Sequence, residues 1–250
     1  MNNYSEKEYE IFSRLFILKD FSETNIKILS KLNISIVGVG GIGCPLSQYL
    51  VSSGIKELTL VDGDNIEINN LNRQLLFNIN DLGKKKVDVA KNKLKLINPE
   101  CKINVLGENI NIDNINTLTE SSIIVDAADD WETSKLLNEF CVRNSINFLY
   151  SSVINHDLQI ILLENKRNND HLCLNCIFPN KENIDLPRCE TVGISGISAG
   201  LAGLISAQKI INFSLDFNKE TNLLTLFDGK KLSIENIIVN SNHKCYLKKY

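Results

Sequence analysis

The chain has 250 residues, 43% of them hydrophobic and 23% charged, and a formal net charge of −3. That size suits one domain with appendages, and the charge gives no electrostatic case for nucleic acid or an anionic membrane surface as partner. No apolar run reaches a membrane span and residues 1–8 lack a basic-then-apolar leader pattern, so a cytoplasmic location is expected. The seven cysteines then read as reduced thiols, metal ligands or a catalytic group, not as a disulfide framework.

In chain order, residues 6–31 read as a helical segment with apolar Ile11, Leu15, Phe16, Ile26 and Leu29 and a cap near Ser22. A strand over 34–38, a helix over 43–53 and a strand over 57–62 follow. Residues 65–81 are polar and Asn-rich, a loop or short helical turns. A helix over 83–97, strands over 103–106 and 123–126, a helix over 132–144 and strands over 147–151 and 157–163 complete a β-α-β-α-β rhythm. That rhythm predicts an α/β fold with a mostly parallel sheet and helices on both faces. The rhythm changes in the crossover loop, 164–192. A small-residue helix over 193–211 and antiparallel strands over 223–228 and 232–239, joined at Gly229, end the chain. The whole reads as one domain, with residues 32–163 as its nucleotide-binding core.

The chemistry concentrates after the first strand. Gly38, Gly40, Gly41 and Gly43 close an apolar run and open a helix, and Asp62 closes the next apolar run. This is the pattern of a phosphate-cradling turn followed by a carboxylate that reaches a ribose. A dinucleotide site would show the same glycines. Asn70, Arg73 and Gln74 lie just beyond the second strand, Lys86 in the first turn of the next helix, and Asp129 just past the buried strand 123–126. Two cations and a carboxylate beyond the strand ends suit a magnesium-bound triphosphate, with Arg73 and Lys86 neutralising phosphate and Asp129 holding Mg²⁺. Taken singly, Arg73 and Lys86 read equally as solvated charges, Asp129 or Asp130 as a helix cap, and Asp62 beside Asp64 as turn chemistry.

With these motifs in place, the chain resembles the ThiF/MoeB/HesA family, relatives of the ubiquitin-activating enzymes. The resemblance also rests on Phe12-Ser13-Arg14, Asp126-Ala127-Ala128-Asp129-Asp130, Cys173-Leu174-Asn175-Cys176, the stretch from Arg188 and Cys189 to Gly193, and Leu226-Phe227-Asp228-Gly229. It implies a Rossmann-like sheet with a C-terminal antiparallel extension. It also implies ATP- and Mg²⁺-dependent adenylation of the C-terminal glycine of a ubiquitin-like sulfur-carrier protein (ThiS or MoaD type) ending in Gly-Gly, for thiamine thiazole or molybdopterin biosynthesis. By position it implies Gly40 and Gly43 in the nucleotide loop, Asp62 on the ribose, Asn70, Arg73 and Lys86 on phosphate, Asp129 on magnesium, and Arg14 lent across a homodimer. Cys189, beside Arg188, is the candidate nucleophile toward the activated tail. Cys173, Cys176 and Cys245 are three ligands of a Zn²⁺ site whose fourth position is Lys248; His243 could complete it, or the thiols could be bare. Adenylation of a peptide or a tRNA is the alternative within this chemistry, and an NAD-dependent oxidoreductase the alternative outside it.

Overall fold

A computed structural model describes residues 4–19, 21–165, 172–178, 193–217, 222–240 and 247. Its N-terminal stretch is not the continuous helical segment expected over 6–31. It comprises α1 (Glu6–Ile11), α2 (Ser13–Phe16) and α3 (Glu23–Leu29). A capping box starts α1, with the Glu8 amide donating to Ser5 Oγ at 3.2 Å and the Ser5 amide donating to Glu8 Oε2 at 3.0 Å. Ser22 caps α3 as expected, accepting from the Asn25 amide at 3.3 Å.

The breaks have a tertiary cause. Tyr4 packs on Phe12 with ring centroids 5.6 Å apart, Tyr9 on Phe16 at 5.2 Å, and Phe16 on Phe21 at 6.5 Å. On a straight helix of 3.6 residues per turn, Tyr4 and Phe21 would point away from the stripe of Tyr9, Phe12 and Phe16. Folding the chain around the rings brings all five together.

The core then runs β1 (Asn33–Val37), α4 (Gly43–Ser52), β2 (Glu57–Val61), α5 (Lys86–Ile97), β3 (Lys102–Leu106), β4 (Ile123–Asp126), α6 (Trp131–Asn144), β5 (Asn147–Ile154) and β6 (Asp157–Leu163). The described remainder gives α7 (Leu174–Ile177), α8 (Gly196–Ser214), β7 (Leu223–Asp228) and β8 (Ser233–Ile238). Among the described residues one eight-stranded sheet has the order β3-β2-β1-β4-β5-β6-β7-β8. Strands β1 to β5 pair in parallel, while β5–β6, β6–β7 and β7–β8 are antiparallel. The expected mixed sheet is therefore present, with β6 already belonging to its antiparallel part.

β1 pairs with both β2 and β4, so the chain steps outward to β3 and returns on the other side of β1. That reversal is a topological switch point, where open α/β sheets leave a crevice beyond their strand ends. Val37 is level with Val61 on one side and Asp126 on the other. The loops after β1, β2 and β4 thus leave the sheet at one edge. No helix among the described residues is long and apolar enough to cross a membrane.

The small-residue helix is α8, starting three residues later than expected. Its buried face carries Ser198, Ala199, Ala202, Gly203, Ser206 and Ala207. A side chain at Gly203 would meet the Ile42 carbonyl and the Pro45 ring at 2.6 Å, so the missing Cβ sets how closely α8 approaches α4.

Candidate functional site

The glycine turn is built by two glycines and left open by a third. Gly38 has φ +97°, and a Cβ there would collide with the Ala127 carbonyl; a Cβ at Gly43 would collide with the Gly38 carbonyl. Gly40 differs, since its nearest neighbour would be Gln74 Nε2 at 3.7 Å, an ordinary contact. Packing within the chain does not require glycine at position 40, and the space it leaves faces the cleft. Gly43 starts α4, and no side chain caps that helix. In its first turn the Cys44 amide donates to the Gly40 carbonyl at 3.0 Å and Pro45 has no N–H, so anion binding at this helix end falls to the amides that precede Cys44.

Asp62 sits where β2 ends, 9% exposed. It does the turn chemistry and more: its Oδ1 accepts from the Asp64 amide at 2.9 Å, and its Oδ2 accepts from the Val39 amide at 2.8 Å. The second bond ties the β2 loop to the glycine turn. Burial pushes the Asp62 carboxyl above the ordinary carboxylate range, against the opposing pull of Lys86 and the two amides. Lys86, the first residue of α5 and 6% exposed, places Nζ 2.8 Å from Asp64 Oδ2 and 3.9 Å from Asp62 Oδ1. The helix expected from Gly83 starts here because Gly83 has φ +78°, outside helical geometry.

A 3-10 turn over Ile68–Asn70 presents the next residues. The Asn70 side chain, expected on phosphate, fastens this loop: its Oδ1 accepts from the Glu67 amide at 3.1 Å and its Nδ2 donates to Asn69 Oδ1 at 2.7 Å. Arg73 Nη1 donates to the Asn69 carbonyl at 2.8 Å and to Asn72 Oδ1 at 3.1 Å, which holds the guanidinium with no carboxylate partner among the described residues. Gln74 is 3% exposed, and its Oε1 is buried with no hydrogen-bond partner among the described residues. A buried amide oxygen in that state is stabilised by a donor from outside the chain.

At the end of β4, Asp130 caps α6, accepting from the Thr133 amide at 2.8 Å, and both Asp129 and Asp130 line the cleft.

One cleft of about 1700 Å³ collects these residues: Gly38, Gly40, Gly41, Asp62, Asn70, Arg73, Gln74, Lys86 and Asp129 all line it. Gly43 lies behind it, shaping the turn. Arg14 is exposed on α2 and is not among the lining residues. Two small residues of α8 help assemble the site. A Cβ at Gly196 would meet the Asn72 carbonyl at 2.6 Å, and one at Gly41 would meet Ala199 Cβ at 3.0 Å. The helix therefore brings the Arg73 loop and the glycine turn together. Trp131, Tyr150, Ser152, Gln159 and Phe178 also line the cleft. Sequence reasoning missed Tyr150, Ser152 and Gln159 because residues on two strands form no motif until those strands pair, and Trp131 and Phe178 because they come from separate helix ends.

Cys173 and Cys176 stand with sulfurs 3.6 Å apart. Two Zn–S bonds of about 2.3 Å at a tetrahedral angle give nearly that separation. The buried Leu247 packs beside Cys173, bringing the end of the chain to the pair. Cys245, His243, Lys248, Arg188 and Cys189 lie outside the described residues, and among the described residues no three metal-binding side chains cluster. Cys44, Cys101 and Cys141 are buried as expected, and burial pushes the Cys44 and Cys101 thiols up to about 12.

Comparisons with known proteins agree with this geometry. The chain is 26% identical over 247 residues to the sulfur carrier protein adenylyltransferase of Thermus thermophilus, covering 97% of this chain and 91% of that one. It is 25% identical over 227 residues to the sulfur carrier protein ThiS adenylyltransferase of Escherichia coli, covering 90% and 89% respectively. The crystal structure of E. coli MccB with ATP shares the fold, with a TM-score of 0.82 at 23% identity over 96% of this chain and 75% of that one. The description of the ThiF family matches residues 12–247, and the chain belongs to that family.

Proposed function

We propose that this protein adenylates the C-terminal glycine of a ubiquitin-like sulfur-carrier protein of the ThiS or MoaD type, using ATP and releasing pyrophosphate. The observation that carries the reading is the convergence of Arg73, Lys86 and Asp129 with the glycine turn and Asp62 in one cleft at the switch point. The chain fits ATP in three ways: the open space at Gly40, the unpartnered Gln74 Oε1, and a buried lysine next to a ribose-type carboxylate.

In this reading a carboxylate oxygen of the carrier tail attacks the α-phosphorus. A new P–O bond forms as the bond from that phosphorus to the β-phosphate oxygen breaks, and pyrophosphate leaves. The amides of the glycine turn before Cys44 and the guanidinium of Arg73 hold phosphate oxygens. Lys86 turns from Asp64 toward the triphosphate, a short move for a flexible ammonium. Each Asp62 oxygen holds one backbone amide and keeps a lone pair for a ribose hydroxyl. Asp129 would hold magnesium, which when bound neutralises charge on the phosphates. Arg14 serves the cleft of a second copy in a homodimer. The Cys189 thiolate attacks the acyl carbon of the activated tail, forming a thioester as the bond from that carbon to the phosphate oxygen breaks and AMP leaves, and Cys173, Cys176 and Cys245 would hold a structural zinc. The work of the cleft is orientation and charge stabilisation.

The test is ATP–pyrophosphate exchange with purified ThiS-type and MoaD-type carriers. Carrier-dependent exchange is expected, and Arg73→Ala should abolish it. Absence of exchange with both carriers would overturn the assignment.

A further inference from the structure

The two cations named above stand in the cleft on different terms. Arg73 is held by the neutral oxygens of Asn69 and Asn72, whereas Lys86 places Nζ 2.8 Å from Asp64 Oδ2. The Lys86 side chain is 7% exposed and that of Asp64 63%, and both line the cleft. A buried ammonium is costly without an anion beside it. Asp62 does not supply one at contact distance, since its Oδ1 lies 3.9 Å from Nζ and already accepts from the Asp64 amide. Within the chain the compensating charge is therefore Asp64. The backbone sets up this pairing without help from either side chain. The Lys86 amide donates to the Asp64 carbonyl at 3.1 Å, and the Ile66 amide to the Lys84 carbonyl at 2.9 Å. An antiparallel bridge joins Asn65 to Lys85 between those two bonds, and the Gly83 amide donates back to the Ile66 carbonyl at 2.9 Å. The loop after β2 is thus latched to the approach to α5, and a substitution of the Asp64 side chain leaves the latch in place.

Resting on the adenylation reading above, we propose that Asp64 is a positioning residue that holds Lys86 ready and competes with the triphosphate for it. On this reading ATP binding exchanges one anionic partner of the lysine for another. The ammonium leaves Asp64 Oδ2 and closes on a phosphate oxygen, while the carboxylate turns into solvent, to which it is already mostly exposed. The exchange lowers nucleotide affinity, because an existing ion pair is broken and a carboxylate remains near an incoming polyanion. An ion pair with one solvent-exposed partner is worth up to about fivefold in an equilibrium constant. Arg73, with no carboxylate to leave, carries no such penalty.

The experiment measures binding of ATP, inorganic tripolyphosphate and adenosine by titration calorimetry in magnesium buffer, together with melting of the ligand-free protein. Asp64→Asn should tighten ATP and tripolyphosphate about three- to fivefold and leave adenosine within about twofold of wild type. The same variant should melt below wild type, because the buried ammonium has lost its nearest anion. A residue that only supports the fold would lose stability and affinity together, so changes of opposite sign mark the competition. Asp64→Glu restores the carboxylate and should return both readings toward wild type. In a Lys86→Met background the gain from Asp64→Asn should largely vanish. Should Asp64→Asn fail to fold, Asp64→Ser serves the same comparison. ATP binding that is unchanged or weaker in the folded variant, an equal gain for adenosine, or a gain that persists in full without Lys86 overturns the inference while leaving the adenylation reading intact. Failure of the wild type to bind ATP overturns both.

Discussion

Two buried carboxylates in this molecule each face a lysine, and their circumstances are opposite. Glu8, wholly buried, accepts from Lys56 Nζ at 2.7 Å, from Asn98 Nδ2 at 3.1 Å and from the Ser5 amide. Burial acts to raise its pKa, but these bonds outweigh that and hold the carboxyl below its usual range. Asp62 has its lysine 3.9 Å away and shares it with the exposed Asp64, and its carboxyl is raised. The first site is complete within the chain. It locks α1 onto the α4–β2 turn, helped by the Tyr4 hydroxyl donating to the Gly54 carbonyl at 2.5 Å and by Lys56 Nζ lying 4.8 Å from the centre of the Tyr4 ring. The second has its lysine at a longer distance, next to a Gln74 oxygen with no partner among the described residues and a turn with open space at Gly40. A structural ion pair and a ligand site use the same residue types; what distinguishes them is whether the chain finishes the job.

The contrast can be broken by substitution. The largest effect should come from Lys86→Met, with pyrophosphate exchange reduced roughly 100-fold or more while the nucleotide-free fold melts near the wild-type temperature. A loss of fold matching the loss of exchange would make Lys86 a structural residue like Lys56. Next, Glu8→Ala removes one member of a buried pair and should cost roughly 3 kcal/mol in denaturant unfolding. Its folded fraction should still bind ATP, because Glu8 touches nothing in the cleft. An intermediate effect is expected at the glycines. Gly40→Ala should leave the melting temperature nearly unchanged and weaken ATP binding about 10-fold, whereas Gly38→Ala, strained at φ +97°, should lose the fold first. Wild-type ATP affinity in Gly40→Ala would remove the cradle from the argument.

The smallest effect, and the sharpest in sign, is in pH. Glu8 is lowered from 4.5, so its contribution is full above 4.5 and is lost as pH falls through the lowered value. Asp62 is raised from 3.8, so in the nucleotide-free protein its contribution is full below 3.8 and is lost as pH rises through the raised value. Melting curves of Glu8→Gln and Asp62→Asn, each subtracted from wild type across this acidic range, should slope in opposite directions. Slopes of one sign would mean that the two acids do not differ as their surroundings imply.

Much of this was legible in the linear chain, for identifiable reasons. The glycine turn, Asp62, Arg73, Lys86 and Asp129 occupy ordered positions after successive strands, and a parallel sheet converts that order into one edge. Short helices were the harder case. The Ser22 cap marks the start of α3 locally, but nothing local separates α1 from α2; the ring cluster does, and it exists only when Tyr4 and Phe21 fold back on Phe12 and Phe16. Asn70 illustrates a subtler gap, since its position beside the cleft was foreseen but the two hydrogen bonds by which its side chain ties the loop were not.

Sequence alone determined the sheet class, the family and the charged end of the cleft, because hydrophobic period and glycine placement are local and strand order carries the rest. Tertiary structure alone decided that Asp130 caps α6 and that Gly40 has open space beside it where Gly38 and Gly43 do not. It also decided that Tyr150, Ser152 and Gln159 meet. Those outcomes depend on distances between strands and loops remote in the chain, and no spacing rule reads such distances before the sheet is assembled.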